Sequence, residues 1–427
     1  MTTAGGERHH FIRRSNAQVL PLELFFDLVF VLAVTQCTAI AAAQPTWAGI
    51  ARGMLVLAVL WWAWTAYAWL TSVIDPEEDA TRLTMFAAMA AMLVASLCVP
   101  EAFGDLALTF AVAYAAVRII QIVLFSLASP DDPDLRRSVL GLAVSTAIGV
   151  GLLVGASFLD GVAQGGLWAL AIALDMAGPF VFGSEGWRLV PGHFAERHGL
   201  ILIIALGESI VAIGVGAADV AIDGPVIGVA VLGVFLAAAL WWLYFDVVAL
   251  AAERRLSAME PGQEQNALAR DAYSYVHLFM VAGIVLMALG LKTTIAHVTD
   301  HLHIQIAAAL SGGVALYLLA LVAFRLRFAS GINRERLGVA VLLLAFIPAA
   351  TAVPAWVALL GVSVVTWGLV TYETTAWADT RSFVRHEHGL PNSDGTVVRA
   401  TDLDAGSDVE LGSAGDGTGE GPDREDG

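Results

Sequence analysis

The chain has 427 residues, of which 58% are hydrophobic and only 14% are charged, and its mean hydropathy is +0.74. Soluble domains carry about 25% charged residues, so this composition excludes an ordinary soluble fold and predicts an all-α integral membrane protein. The net charge is −17, which disfavours nucleic acid as a partner.

The apolar windows predict how often the chain crosses a membrane. Segment 1–19 lacks a short apolar region followed by a cleavage site, so it is not expected to be a signal peptide. A transmembrane helix needs about 20 apolar residues, and twelve windows meet this requirement. They lie at 20–42, 48–73, 81–99, 104–127, 138–158, 163–182, 198–217, 224–248, 272–296, 303–324, 335–351 and 353–374. Pro348 and Pro354 bracket the last turn, so the final two windows could instead form a re-entrant hairpin or one broken helix.

The basic residues support this number of spans. Positive charge collects in cytoplasmic loops, and 19 of the 22 basic residues lie before the first window, or after an even-numbered window and no deeper than the second residue of the next one. The three exceptions are Arg52, Arg118 and Lys292, each within a window. The pattern therefore predicts twelve spans, with both termini in the cytoplasm.

The two halves of the apolar region resemble each other. "AVLWWAWTAYAWL" (58–70) and "AALWWLYFDVVAL" (238–250) share a tryptophan pair, and Tyr114 and Tyr317 lie at equivalent depth. Six spans per half would relate the halves in parallel orientation. The predicted units are a cytoplasmic N-terminus (1–19), a first six-helix half (20–182), a cytoplasmic linker (183–197), a second half (198–376) and a disordered acidic tail (377–427). The tail is expected to be disordered because it holds few apolar residues.

Carboxylates interrupt the first span of each half. Glu23 and Asp27 lie four residues apart in "LPLELFFDLVFVLAVTQ", about 4 to 11 Å from the cytoplasmic end of their helix and within snorkelling reach. Glu208 in "HGLILIIALGESIVAIGVG" lies about 15 Å into its span, at the midplane. A charge there is costly unless it is paired, solvated or neutralised. These carboxylates are therefore predicted to face the interior of a helical bundle.

Other polar residues also lie at membrane depth. Asp175 and Arg118 are well inside their spans, and Asp246 lies near the cytoplasmic end of span eight. Tyr114, Arg118 and Gln121 have the spacing of one helix face, which predicts an inward polar stripe. A cation such as Arg118 close to Glu208 would keep that carboxylate charged.

Span nine carries a titratable residue. Tyr273 and His277 lie four residues apart on one helix face. A histidine at this depth could act as a proton relay or pH sensor. The alternative is an interhelical hydrogen bond without a role in transport.

Together these residues suggest passage through the membrane rather than catalysis. The sequence lacks a phosphate-binding loop and an H-E-x-x-H zinc motif, so no enzymatic activity, cofactor or metal is expected. The leading hypothesis is a secondary transporter or permease for a small solute or ion, with Glu208, Arg118 and Asp27 around one lumen. Membrane lipids are the other expected partners.

Three segments resemble a known family. "PLELFFDLVFVLAVTQ" (21–36), "ERHGLILIIALGESIVAIGVG" (196–216) and "YSYVHLFMVAGIVLMALG" (273–290) are similar to the bacterial low temperature requirement A (LtrA) family of multi-pass membrane proteins. The resemblance covers about residues 13–375. It implies an integral protein of the bacterial cytoplasmic membrane, linked by name to growth in the cold, and it implies no particular substrate.

A shorter resemblance suggests an alternative. Arg14 with "FFDLVFVLAVTQ" (25–36) is similar to the first-helix pattern of potassium channels built from six-span units, although Phe26 replaces a serine of that pattern. This resemblance implies a cation channel with Phe30 and Val34 lining the pore. A third possibility is a non-transporting protein for cold adaptation, in which the polar residues hold helices together.

Overall fold

The computed structural model describes residues 18–74, 76, 78–129, 132–183, 186–329, 331–386, 390–391 and 397–398, most of them helical. The α-helices are α1 Pro21–Ala43, α2 Trp47–Val73, α3 Asp79–Cys98, α4 Ala107–Ala128, α5 Pro133–Ala156, α6 Gly161–Val181, α7 Pro191–Ala217, α8 Gly224–Phe245, α9 Val248–Ser257, α10 Gln263–Ala269, α11 His277–Ala296, α12 Ile304–Ala307, α13 Gly313–Phe328, α14 Arg334–Ala350, α15 Ala355–Ala376 and α16 Ala378–His386. A 3₁₀ turn covers Val99–Glu101, and β1 Leu390–Pro391 pairs antiparallel with β2 Val397–Val398.

Local sequence signals set several helix starts. The side chains of Thr46, Asp132, Asp223 and Asn333 each accept a hydrogen bond from a backbone N–H in the first turn of the following helix. Proline occupies the first turn of α1, α5, α7 and α8. The N–H groups of a first turn have no partner inside the helix. The capping side chains accept hydrogen bonds from such groups, and proline lacks the N–H altogether.

The structure confirms a predominantly helical fold of the multi-pass membrane type. Among the described residues, ten helices are long and apolar enough to cross a membrane. α6 and α14 are not among the ten, and α14 has only 17 residues. The last two predicted windows form separate helices, α14 and α15, joined by the turn 351–354.

Helix packing divides the bundle into two groups that meet along one seam. In segment 21–181, α1 packs on α2 and α3, α3 on α4, α4 on α5, and α5 on α6, while α2 also contacts α4 and α6. In segment 191–376, α7 packs on α8 and α11, α11 on α13, α13 on α14, and α14 on α15, while α8 also contacts α13 and α15. The seam forms where α1 and α2 contact α7 and α11.

The first and seventh helices start at the same end of the bundle. The backbone N–H of Val19, just before α1, donates to the Glu196 carboxylate near the start of α7 at 3.1 Å. We call this the near end and the opposite end the far end. Because α1 and α7 run in the same direction, equivalent depths along the two helices face each other.

Two π-helical segments precede the central helices α11 and α13, at Arg270–Val276 and Ala308–Gly312. Just beyond them, α11 and α13 come into backbone contact at Gly283 and Gly313. A Cβ atom added at Gly283 would lie 2.6 Å from the carbonyl oxygen of Gly313. Small residues permit this close approach of membrane helices.

The predicted disordered tail begins as a helix instead. Asp246, at the end of α8, accepts hydrogen bonds from Arg381 at 2.9 Å and Arg385 at 2.6 Å. These arginines lie four residues apart on one face of α16, so one carboxylate holds the helix to the bundle. The prediction of disorder from 377 onwards is therefore wrong for α16. Nearly all of segment 387–427, and segment 1–17 with Arg14, lie outside the described residues.

Candidate functional site

Four side chains from α1 and α7 form a fully buried group, here called the α1–α7 cluster: Glu23, Asp27, His193 and Arg197. His193 Nε2 lies 2.8 Å from Glu23 Oε1. Arg197 donates to Glu23 Oε1 at 3.5 Å through Nη1 and to Asp27 Oδ1 through Nη2. Each helix contributes two residues spaced by four, so one face of α1 meets one face of α7.

Helix α2 completes the surroundings of the cluster. Trp64 Nε1 donates to Asp27 Oδ1 at 2.7 Å, and Arg197 Nη1 donates to the Thr71 hydroxyl at 2.9 Å. The Arg197 guanidinium carbon also lies 5.5 Å from the centre of the Trp64 ring. Asp27 Oδ2 and Arg197 Nε have no hydrogen-bond partner within the part of the chain that the structure describes. The cluster thus joins the two helix groups by charge rather than by apolar packing alone.

The structure corrects the expected surroundings of these carboxylates. Glu23 and Asp27 were expected within snorkelling reach of water, and Arg197 was expected in a cytoplasmic linker. Instead α7 begins at Pro191, and all three side chains are buried. The missed signal is the four-residue spacing of His193 and Arg197, which matches the spacing of the two acids on α1.

A second buried ion pair lies inside the first helix group. Arg118 of α4 pairs with Asp175 of α6, with Nη2 3.2 Å from Asp175 Oδ2. Thr146 of α5 accepts from Arg118 at 2.5 Å and donates to Asp175 at 3.1 Å. Arg118 was expected to share one lumen with Glu208, and that expectation is wrong, because α2, α5 and α6 of its own group supply its partners. Tyr114 and Gln121 are buried on the same face, which confirms the inward stripe.

Glu208 lies in a third environment, at the seam. It is 2% exposed, and its Oε2 accepts a hydrogen bond from the Thr35 hydroxyl at 2.6 Å. Thr35 is eight residues beyond Asp27, which is about 12 Å along α1. Glu208, Arg118 and Asp27 therefore point inward, as expected, but each has its own partners.

Histidines and aromatic rings form a fourth group beside the α1–α7 cluster. His277 Nε2 lies 3.0 Å from the Tyr244 hydroxyl, and the rings of Tyr273 and His277 stack with centres 5.0 Å apart. The ring of His198, next to Arg197 in the chain, lies 5.3 Å from that of His277. His198 Nε2 and the Tyr273 hydroxyl have no partner among the described residues. The predicted pairing of Tyr273 and His277 on one face is confirmed.

The pore-lining residues of the channel alternative are packed. Phe30 and Val34 are both buried, and the Phe30 ring lies 6.2 Å from that of Trp64. In this conformation, α1 presents these side chains to its neighbours and not to an open passage.

A cavity of about 60 Å³ lies in the first helix group towards the near end. Its walls come from α2, α4, α5, α6, the loop before α7 and the first π-helical segment. Arg118 and Gln121 of the polar stripe line it, but Glu208 and the α1–α7 cluster do not. The residues used below are Trp62, Thr65, Arg118, Gln121, Trp187 and Arg270.

Comparison with known proteins supports the family resemblance. The family model described as bacterial low temperature requirement A protein (LtrA) matches residues 18–371. The chain is 29% identical over 328 residues to an uncharacterized protein of Rhizobium meliloti (strain 1021), a match that covers 73% of this chain and 79% of that protein. No solved structure matches the chain. The matched region includes every buried ionic group described above.

Proposed function

Since the chain belongs to the bacterial low temperature requirement A (LtrA) family, we propose that this multi-pass membrane protein is a secondary transporter that couples solute movement to protons at the α1–α7 cluster. The observation that carries the proposal is the position of the cluster. It places two carboxylates and a histidine, all buried, at the seam between the helix groups. Ionisable residues inside membranes mark proton and ion pathways, and histidine changes charge near physiological pH.

The helix groups are proposed to be two tandem six-helix halves in parallel orientation. α1 to α6 and the six long helices α7, α8, α11, α13, α14 and α15 have the same pattern of neighbours. In this arrangement α6 and α14 also cross the membrane, which gives twelve spans. Transporters with such repeats alternate access by rocking one half against the other.

Proton binding would weaken the seam in this scheme. When a proton neutralises Glu23, its attraction to Arg197 falls, and in a low-dielectric interior this change is large. His193, 2.8 Å from Glu23, is positioned to exchange that proton. The π-helical segments beside α11 and α13 would accommodate the movement, since such irregular turns often occur at functional sites.

The transport proposal predicts that His193→Gln abolishes solute-driven proton uptake. Glutamine keeps a polar group near Glu23 but cannot carry the proton. Proteoliposomes loaded with a pH-sensitive dye would be exposed to small charged and neutral solutes, and internal pH would be followed. The matched control is His297→Gln at the far end, where an exposed histidine lies 3.1 Å from the Asp300 carboxylate. If the folded wild type moves protons with none of the solutes, or if His193→Gln keeps full coupling, the proposal fails.

A non-transporting role is the second candidate function. Glu208 and Arg118 each contact a polar side chain on another helix, Thr35 and Asp175 respectively. Such contacts are expected if the polar residues serve to hold helices together. In that case no solute moves protons in the same assay, and the variants change thermal stability alone.

The orientation is proposed to place the near end in the cytoplasm. Basic residues follow the even-numbered spans, and these spans end at the near end. A single cysteine introduced in the turn 351–354 at the far end should react with a membrane-impermeant maleimide in intact cells. A cysteine replacing exposed Arg255 should react only after lysis. The reverse pattern would contradict the orientation.

A further inference from the structure

The cavity in the first helix group is separate from the α1–α7 cluster and has room for a small ligand. A water molecule needs about 10–15 Å³ of cavity volume, so about 60 Å³ holds roughly four to six groups of that size. Most of the cavity lining comes from helices of the first group, and Trp187, Arg270 and Ser274 line it from outside that group.

Several polar atoms around the cavity lack partners. Within the described residues, Trp62 Nε1, Thr65 Oγ1, Arg118 Nε and both amide atoms of Gln121 form no hydrogen bond. All four side chains line the cavity, and none is more than 5% exposed. Buried polar groups in proteins are almost always hydrogen-bonded. Such a concentration of unpaired atoms around one cavity indicates that a bound molecule supplies their hydrogen-bond partners.

The lining favours a negatively charged acceptor. Its charged members are Arg118 and Arg270, and no carboxylate belongs to the lining. Their acidic partners, Asp175 and Asp271, lie outside it. The Trp62 indole and the guanidinium of Arg118 can only donate hydrogen bonds. Among the unpaired atoms, Trp62 Nε1, Arg118 Nε and Gln121 Nε2 donate, the Thr65 hydroxyl can donate or accept, and Gln121 Oε1 accepts, so donors predominate.

Most of the remaining wall is apolar, apart from Ser138 and Ser274, and this favours an organic over an inorganic anion. Trp69 and Trp187 contribute indole side chains, and Leu142 and Pro179 contribute aliphatic surface. Ligand sites commonly combine such walls with a few convergent polar groups. Arg270, whose guanidinium carbon lies 4.0 Å from the centre of the Phe180 ring, lines the cavity from the near end.

We propose that this cavity is a binding site for a short-chain organic carboxylate. The carboxylate accepts hydrogen bonds from Gln121, Trp62 and Arg118, and the hydrocarbon part packs against Trp69 and Trp187. Binding here requires neither a proton gradient nor the α1–α7 cluster, so the proposal goes beyond the transport scheme and is tested independently of it.

The first test compares propionate with its neutral isostere, propionamide. Tryptophan fluorescence of the purified full-length protein in detergent would be titrated with each, and with chloride and inorganic phosphate, at constant ionic strength and neutral pH. We expect a saturable change with propionate and none with propionamide. An equal response to propionamide, a response to chloride or phosphate that matches the one to propionate, or no response to propionate would overturn the proposal.

The second test uses Gln121→Leu and the matched control Gln164→Leu. Gln164 is also buried and also has an unpaired Oε1, but it does not line the cavity. Gln121→Leu should weaken propionate binding by about tenfold or more without lowering the melting temperature, because it removes amide atoms that have no protein partner. Gln164→Leu should leave the affinity unchanged.

Thr65→Val is a second cavity variant, which tests the site even if Gln121→Leu folds poorly. Thr65→Val removes an unpaired hydroxyl at nearly constant volume and should also weaken propionate binding. Unchanged affinity in both cavity variants, or equal loss in Gln164→Leu, would overturn the assignment. His193→Gln should bind propionate normally, so failure of the transport scheme and failure of this site give different results.

Discussion

Replacing Arg197 by methionine is expected to lower the free energy of unfolding by about 3–5 kcal/mol, the cost of removing one partner from a buried ion pair. Arg197 contacts both Glu23 and Asp27, and all three side chains are fully buried. The variant leaves two carboxylates without this cation in an interior that solvates charge poorly. Thermal unfolding of the purified protein in detergent measures the effect.

The control for this prediction is Arg255→Met, which removes an exposed arginine on α9 and should change stability by less than about 1 kcal/mol. A further variant, Asp27→Asn combined with Arg197→Met, should recover part of the loss because it also removes a buried negative charge. If Arg197→Met and Arg255→Met have equal melting temperatures, the α1–α7 cluster does not stabilise the seam.

Replacing Gly283 by alanine is expected to destabilise the protein by at least about 1–3 kcal/mol, the usual cost of overpacking a core. The new Cβ would lie 2.6 Å from the Gly313 oxygen and 2.8 Å from the Tyr317 nitrogen. Both are backbone atoms, so the clash cannot be relieved by rotating a side chain, and α11 and α13 must move apart. The reciprocal change, Gly313→Ala, meets the Gly283 oxygen and the Met287 nitrogen at 2.7 Å each and should have a similar effect.

Gly207→Ala and Gly228→Ala are the matched controls, since a Cβ at either position has no atom within 4 Å. Both lie within helices, where alanine is favoured over glycine by roughly 0.5–1 kcal/mol. These variants should therefore be as stable as the wild type or slightly more stable. Equal melting temperatures for Gly283→Ala and the controls would show that α11 and α13 are not in backbone contact. The stabilities of the variants would be compared from thermal unfolding curves recorded in one detergent.

The sequence by itself determined that this protein is a bundle of membrane helices. A backbone in lipid must satisfy its hydrogen bonds within each segment, so the apolar windows alone locate most of the long helices to within a few residues. The exception is α7, which begins at Pro191 and not at residue 198. The spacing of Tyr114, Arg118 and Gln121 also predicted that these side chains point into the bundle, because residues three and four apart share a helix face. The pairing of Tyr273 with His277 follows from the same local geometry.

Only the tertiary structure decided which buried groups meet. Arg118 binds Asp175 and not Glu208, and Arg197 lies between Glu23 and Asp27 across more than 160 residues of chain. Such partners depend on which helices are adjacent and in what register, and the apolar patterns of these helices are too alike to encode that choice. The helical start of the tail likewise depends on the distant carboxylate of Asp246. Local hydrogen bonding fixed each helix, whereas the long-range pairing of charges fixed the arrangement of its polar interior.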